Sequence, residues 1–225
     1  MSRPLAIVAG AGAGLGQALL HSFDQSGYNA YGLNRSLPKG AGPNTLRVDL
    51  TDAPQTEQQI LDLIAAHGAP QLVVHNAAKL VISEFENTSN AEFEETWRSM
   101  VISAVNLART VLPSMAAAGG GTFIVSGATA SLRGGKNFAA FATAKAGLRA
   151  LTQSLAREYG PKGVHVAHVI LDGIVDTQAS RALVAMDPSR MMAPDDIAQT
   201  YLALAAQPVS TWTHELDIRP MGEAF

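Results

Sequence analysis

Gly10, Gly14 and Gly16 stand in a G-x-x-x-G-x-G spacing between the apolar run 5–9 and the helical Gln17-Ala18-Leu19-Leu20. Such a turn can cradle a diphosphate. Gly10 permits a tight turn, Gly14 lets the backbone approach the anion, and Gly16 lets the following helix pack close to the strand. The helix that follows, near 14–26 with Leu15 and Gly16 at its head, has its N-terminus facing the negative charge. The usual G-x-G-x-x-G fingerprint fails, because Leu15 and Gln17 stand where its last glycine would be, and a P-loop would need a Lys-Ser/Thr pair. The plain alternative is a tight turn with no ligand. About twenty residues further on, a carboxylate would hold the ribose of NAD. Asn34 and Arg35 stand there instead. A guanidinium without a neighbouring carboxylate suits a 2′-phosphate, so NADP(H) is expected over NAD(H). The competing explanation for Arg35 is a solvated loop charge.

Other chemistries have less to work with. The chain contains no cysteine, which removes disulfides, thiolate-held metals, iron–sulfur clusters and thiol catalysis. His165 and His168 lie three residues apart on one apolar run, so they point to opposite faces of a strand and cannot grip one metal. No metal is expected. His75, just before Asn76, reads as a hydrogen-bonded buried histidine, and Phe138, Phe141 and Trp212 read as packing residues.

Short apolar runs alternate with longer helical patterns, which is the signature of a parallel sheet covered by helices. The strands fall near 5–9, 29–33, 46–48, 72–75, 122–126, 164–171 and 215–218, and the helices near 14–26, 55–67, 91–118, 138–159 and 195–206. The expected fold is α/β: one doubly wound parallel sheet of about seven strands with helices on both faces, over residues 1–225 as one dinucleotide-binding domain. Pro113 should kink or restart the helix 91–118, because proline removes a backbone donor. The stretch 172–194, with a short helical pattern at 179–186, is the expected substrate-side segment and has the length of a lid.

Composition sets the outer bounds. With 225 residues, 47% of them hydrophobic and 16% charged, the chain can bury a core and is not disordered. A formal charge of -3 without a basic run argues against nucleic acid as a partner. The glycines in 5–20 argue against a signal peptide, and no unbroken apolar run reaches the roughly 18 residues that span a bilayer. A cytoplasmic protein is expected, and the sequons at Asn34 and Asn87 are chance matches.

Asp49 after the third strand, Leu50 beside it, Asn76-Ala77-Ala78 after the fourth, Lys145 in a long helix, and Gly173 with Thr177 follow the glycine turn in an order that resembles the short-chain dehydrogenase/reductase family. The likeness runs along nearly the whole chain. It implies a doubly wound fold, NAD(P)(H), hydride exchange between alcohols and carbonyls, and homodimers or homotetramers. It also implies roles: Asp49 and Leu50 beside the adenine, Asn76-Ala77-Ala78 in place of N-A-G supporting sheet and cofactor, Lys145 on the nicotinamide ribose, and Gly173 and Thr177 around the nicotinamide.

The same alignment shows departures. The family's Y-x-x-x-K reads Phe141-Ala142-Thr143-Ala144-Lys145 here, Ala128 falls where the catalytic serine belongs, and Met100 falls where the helix asparagine belongs. Asn106 lies too far along the helix to share that face. A lost general acid typically forfeits about 10²–10⁴ in rate. Lys145 and Asp172 are the remaining candidate catalytic residues. Asp172 replaces the proline before Gly173, and either pairs with Lys145 or serves as a substitute acid/base; a loop carboxylate capping local backbone is the plainer account. Ser126, Thr129 and Ser131 offer hydroxyls nearby, each offset from Ala128. Two functions follow: an oxidoreductase acting between NADP(H) and a small carbonyl or alcohol, with water or Asp172 handling the proton, or a non-catalytic NADP(H)-binding sensor or structural partner.

Overall fold

A computed structural model describes residues 3–37 and 40–223. Along β1 (Leu5–Ala9), Leu5, Ile7 and Ala9 face one apolar cluster while Ala6 and Val8 face another, and every residue is buried. A strand apolar on both faces must lie inside a sheet covered on both sides. Around it assemble β2 (Asn29–Asn34), β3 (Thr45–Arg47), β4 (Leu72–His75), β5 (Gly121–Ser126), β6 (Val164–Leu171) and β7 (Glu215–Ile218), all parallel, in the order β3-β2-β1-β4-β5-β6-β7. The order reverses direction between β1 and β4, and ligands of open α/β sheets bind at the carboxyl ends beside such a switch.

The two layers follow from the alternation. Helices α1 (Leu15–Gln25) and, near the end of the chain, Pro194–Ala205 cover the face of Ala6, Val8, Val74, Ile124 and Val169. On the opposite face α2 (Ala53–His67) packs with two long helices around Ile7, Val73, Phe123 and Val166.

One of those long helices begins as α3 (Asn90–Trp97), whose first turn is held by a reciprocal Ser89–Glu92 capping box. It widens into a π segment at Arg98–Ile102 and continues as α4 (Ser103–Ala117). The irregularity expected at Pro113 is therefore absent there and lies at the π segment instead. Pro113 removes one donor, and buried neighbours Val111, Leu112 and Met115 keep the helix intact across it. By length and mean hydropathy (1.3) Asn90–Ala117 would pass for a membrane span, but 56% of its most apolar window is buried in the fold. The other long helix is α5 (Ala139–Tyr159). Next come α6 (Gln178–Leu183) and α7, the Pro194–Ala205 helix. The segment around α6 is not an open loop. Its base is closed by Met192 N–H to the Ile174 carbonyl and Asp176 N–H to the Met192 carbonyl, each 2.8 Å.

Candidate active site

The glycine turn is a joint between strands before it is a cradle. Gly10, at φ 90°, donates its N–H to the Leu33 carbonyl (2.8 Å), and its own carbonyl accepts from the Asn76 side chain (3.2 Å). A Cβ on Gly10 would sit 2.5 Å from the Ala77 nitrogen, and one on Gly16 2.5 Å from the Gly10 carbonyl oxygen. Gly14, at φ 102°, is the N-cap of α1, has no side-chain cap, and lies against the Thr177 methyl group. Leu15 and Gly16 are buried at the head of α1. The first N–H groups of this helix therefore receive no side-chain acceptor at the cap, and α1 has no acidic residue in its first turn.

Beside the turn opens a cavity of about 500 Å³. Gly10, Asn34, Arg35, Asp49, Leu50, Asn76, Ala77 and Ala78, all expected from the sequence, line it; Gly12, Val48, Thr51, Lys79, Glu95, Ser99 and Ser103 join them. Gly14, Leu15, Gly16, Lys145, Gly173 and Thr177 lie outside that wall. The Asn34 amide donates to the Ser36 carbonyl (2.6 Å), and Arg35 is exposed. Asp49 accepts from both the N–H and the hydroxyl of Thr51 (2.9 and 2.8 Å), which, with weaker contributions from Arg35 and Arg98, holds its carboxyl below the usual range. Lys79 and Glu95 pair on the rim.

Past the carboxyl end of β5, Lys145 is almost fully buried (4% exposed) and donates from Nζ to the Ser126 carbonyl at 2.7 Å. Burial lowers its ammonium from 10.5 to about 8. Phe141, one helical turn earlier on α5, places its ring centroid 5.6 Å from Nζ. The Ser126 hydroxyl points to the other face of the sheet and shares a 2.9 Å hydrogen bond with the buried Tyr201 hydroxyl of α7. Ala128 and Phe141 are half-buried, and Met100 is fully buried inside the π segment. None of the three presents a polar side-chain atom.

The expected Asp172–Lys145 pair does not form. Asp172, 6% exposed, spends one carboxylate oxygen on the Thr129 hydroxyl and the other on Arg219 (3.1 Å), while Lys145 is engaged by Ser126. Its backbone N–H is fixed by the Ile218 carbonyl of β7 at 2.9 Å. From the sequence Thr129 was only one of three hydroxyls offset from Ala128 and Arg219 was not singled out, since partners 43 and 47 positions away from Asp172 carry no local periodic signal.

The buried histidines are structural. The Ser103 hydroxyl donates to the Ser99 carbonyl (2.7 Å), so His75 Nε2, 2.8 Å away, is the donor of that pair. His168 Nε2 meets the Ser131 hydroxyl at 3.0 Å, and that oxygen also accepts the Ala128 N–H. Burial lowers His75 to about 3 and His168 to about 4, with Lys145 a secondary cause in both. His165 faces the opposite side of β6 and stacks on Trp212 with centroids 5.0 Å apart. No cluster of metal-ligating side chains occurs among the described residues. Asn106 reaches the Leu50 carbonyl (2.9 Å) and braces the cavity wall.

The sequence profile of the short chain dehydrogenases matches residues 4–188. This chain belongs to the short-chain dehydrogenase family. The family's oxidoreductases use NAD(P)(H), and the glycine turn fits that use. This short-chain dehydrogenase is 27% identical to a probable galactose dehydrogenase, GalD, of Rhizobium meliloti (strain 1021), over 92% of this chain and 90% of the relative. It superposes on a short-chain dehydrogenase from Rhodopseudomonas palustris with a TM-score of 0.79 at 31% identity, covering 96% and 98% of the two chains. ElxO, solved with NADP bound, shares the fold at a TM-score of 0.87 and 18% identity, over 96% of this chain and 97% of that one.

Proposed function

We propose that this short-chain dehydrogenase binds NADP(H) along the carboxyl ends of β1, β2 and β4 and works between it and a small carbonyl or alcohol. The observation that carries the reading is the cradle at Gly10, Gly14 and Gly16, where side chains would overlap backbone or the Thr177 methyl and where the head of α1 has no side-chain cap. In this reading the turn and Asn76-Ala77-Ala78 hold the diphosphate side, Asp49 and Leu50 flank the adenine, and Gly173 and Thr177 border the nicotinamide. Arg35 takes a 2′-phosphate at a strand end without a carboxylate. Lys145 has one ammonium proton committed to Ser126 and two left for ribose hydroxyls. When bound, the nicotinamide supplies hydride transfer; the chain must supply orientation and the proton. The bound NADP of ElxO supports the cofactor reading by likeness of fold.

In this reading Phe141, Ala128 and Met100 occupy the positions of the family's Tyr, Ser and Asn, so the proton travels by another route. The apolar character of those side chains also favours a second reading, a non-catalytic NADP(H) sensor or structural partner. Fluorescence titration with NADPH tests the pocket, and NADPH consumption over a panel of small carbonyls, with NADP+ reduction over the matching alcohols, tests the chemistry. Tight binding without turnover selects the sensor. The double change Phe141→Tyr with Ala128→Ser is expected to create or raise reductase activity by about 10² or more; no gain in a folded, NADPH-binding variant removes these two positions from the reaction centre. We also propose a homodimer or homotetramer through the long α4 and α5 helices, to be checked by sedimentation equilibrium.

A further inference from the structure

We infer that Thr129, backed by Asp172, touches the reacting oxygen of the substrate and that the pair serves as a proton relay for alcohol oxidation. This rests on the dinucleotide reading above. Three hydroxyls lie close together after the core of β5, and two of them are taken. Ser126 points through the sheet to Tyr201, and Ser131 is buried between the Ala128 N–H and His168. Thr129 alone is half-exposed and hydrogen-bonded to a carboxylate. It follows Ala128 directly, and Asp172 follows Leu171 at the end of the neighbouring strand; β5 and β6 pair in register up to Ser126 and Val169. Lys145 reaches the same corner through the Ser126 carbonyl.

The direction of the hydrogen bond sets the direction of the chemistry. An ionised carboxylate only accepts, so the Thr129 proton points at Asp172 and the Thr129 oxygen turns its lone pairs outward, ready to accept from an alcohol O–H. Arg219 on the second carboxylate oxygen and the backbone bond to Ile218 fix Asp172 in place. On oxidation the alcohol proton passes to Thr129 Oγ1 while the Thr129 proton passes to Asp172 Oδ1. The carbinol C–H electron pair leaves with its hydrogen to NADP+, and the substrate O–H pair becomes the second bond of the carbonyl. The substrate thus loses two electrons and two hydrogens, the dinucleotide is reduced, and Asp172 is left protonated until water removes the proton. Thr129 is the catalytic residue of this step; Asp172, acting through it, is a positioning residue.

The test uses the full chain with NADP+ and a panel of small primary and secondary alcohols, alongside NADPH affinity, thermal melting, and calorimetric binding of trifluoroethanol, an alcohol that resists oxidation, to the NADP+-loaded protein. Thr129→Val, which keeps shape and removes only the hydroxyl, is expected to lower kcat by about 10² with NADPH affinity unchanged and to weaken trifluoroethanol by about tenfold. Thr129→Ser restores both. Asp172→Asn lowers kcat more than it raises KM, and Asp172→Glu recovers part of the rate. Full activity and full trifluoroethanol affinity in Thr129→Val overturns the relay, as does a wild-type protein that binds NADPH but oxidises no alcohol in the panel. Failure of the wild-type protein to bind NADPH overturns the dinucleotide reading itself, and the relay falls with it.

Discussion

Lys145 lies where burial and binding pull in opposite directions. Removal from water lowers its ammonium to about 8, so the folded chain holds that proton less tightly than the unfolded chain does. A charged Lys145 therefore weakens the ligand-free fold by on the order of 3 kcal/mol below pH 8, and this penalty fades as pH climbs from about 8 towards the ordinary lysine value. Lys145→Met should consequently raise ligand-free stability at pH 7, with the advantage closing by pH 10, as read from urea unfolding at the two pH values. A lysine kept at such a cost fits a group retained for a ligand. Arg35 gives the complementary prediction for selectivity: Arg35→Ala should weaken NADPH by about tenfold or more, the size of one lost charge-assisted contact, while leaving NADH unchanged in fluorescence titration. Equal losses for both would remove Arg35 from the 2′-phosphate. Arg35 and Lys145 were visible in the sequence because their positions are counted from neighbouring glycines and strands. Thr129 was legible only as one of three hydroxyls near Ala128, and Arg219 not at all, because both are picked out by a three-dimensional meeting with Asp172.

At the scale of the element, the sheet was the most readable part. β1, β4 and β6 fall where short apolar runs between turns put them, since a strand covered on both faces is apolar along its length, and the partly buried edge strand β7 also lies at the expected 215–218. The π segment at Arg98–Ile102 was hidden, because proline chemistry drew attention to Pro113 and nothing in the residue types 98–102 announces an extra residue in a helical turn. Ser99 and Ser103, four residues apart and so on one side of the helix, line the cavity wall while Met100 is buried in the core. The β1–α1 turn offers the sharpest element-level test. Gly10→Ala demands a methyl where the Ala77 backbone already stands and where φ is positive, so the turn or the β4 loop must move. The variant should lose about 2–4 kcal/mol of stability, read by thermal unfolding, and bind NADPH at least tenfold more weakly. Gly12→Ala, at a position with open space around its Cβ direction, is the control that should stay folded.

Across the whole molecule the two most deeply buried imidazoles lean the same way. His75 and His168, neutral in the fold with values near 3 and 4, must stay uncharged while their unfolded counterparts take up protons below about 6.5. Each therefore removes up to about 1.4 kcal/mol per pH unit as pH falls from 6.5 towards its folded value. Asp49 and Glu215, whose carboxyls are held low, lose their contribution at still lower pH. Stability of the ligand-free protein should thus fall steadily from pH 7 to pH 4 in chemical denaturation, and His168→Gln should flatten part of that slope; an unchanged slope would contradict the neutral buried imidazole. The two helical layers, meanwhile, are not independent of one another. Ser126 is grasped on one side through its carbonyl by Lys145 and on the other through its hydroxyl by Tyr201. A rivet of that kind passes right through the plate it fastens, so a disturbance at α7 is expected to reach the lysine ammonium on the opposite face.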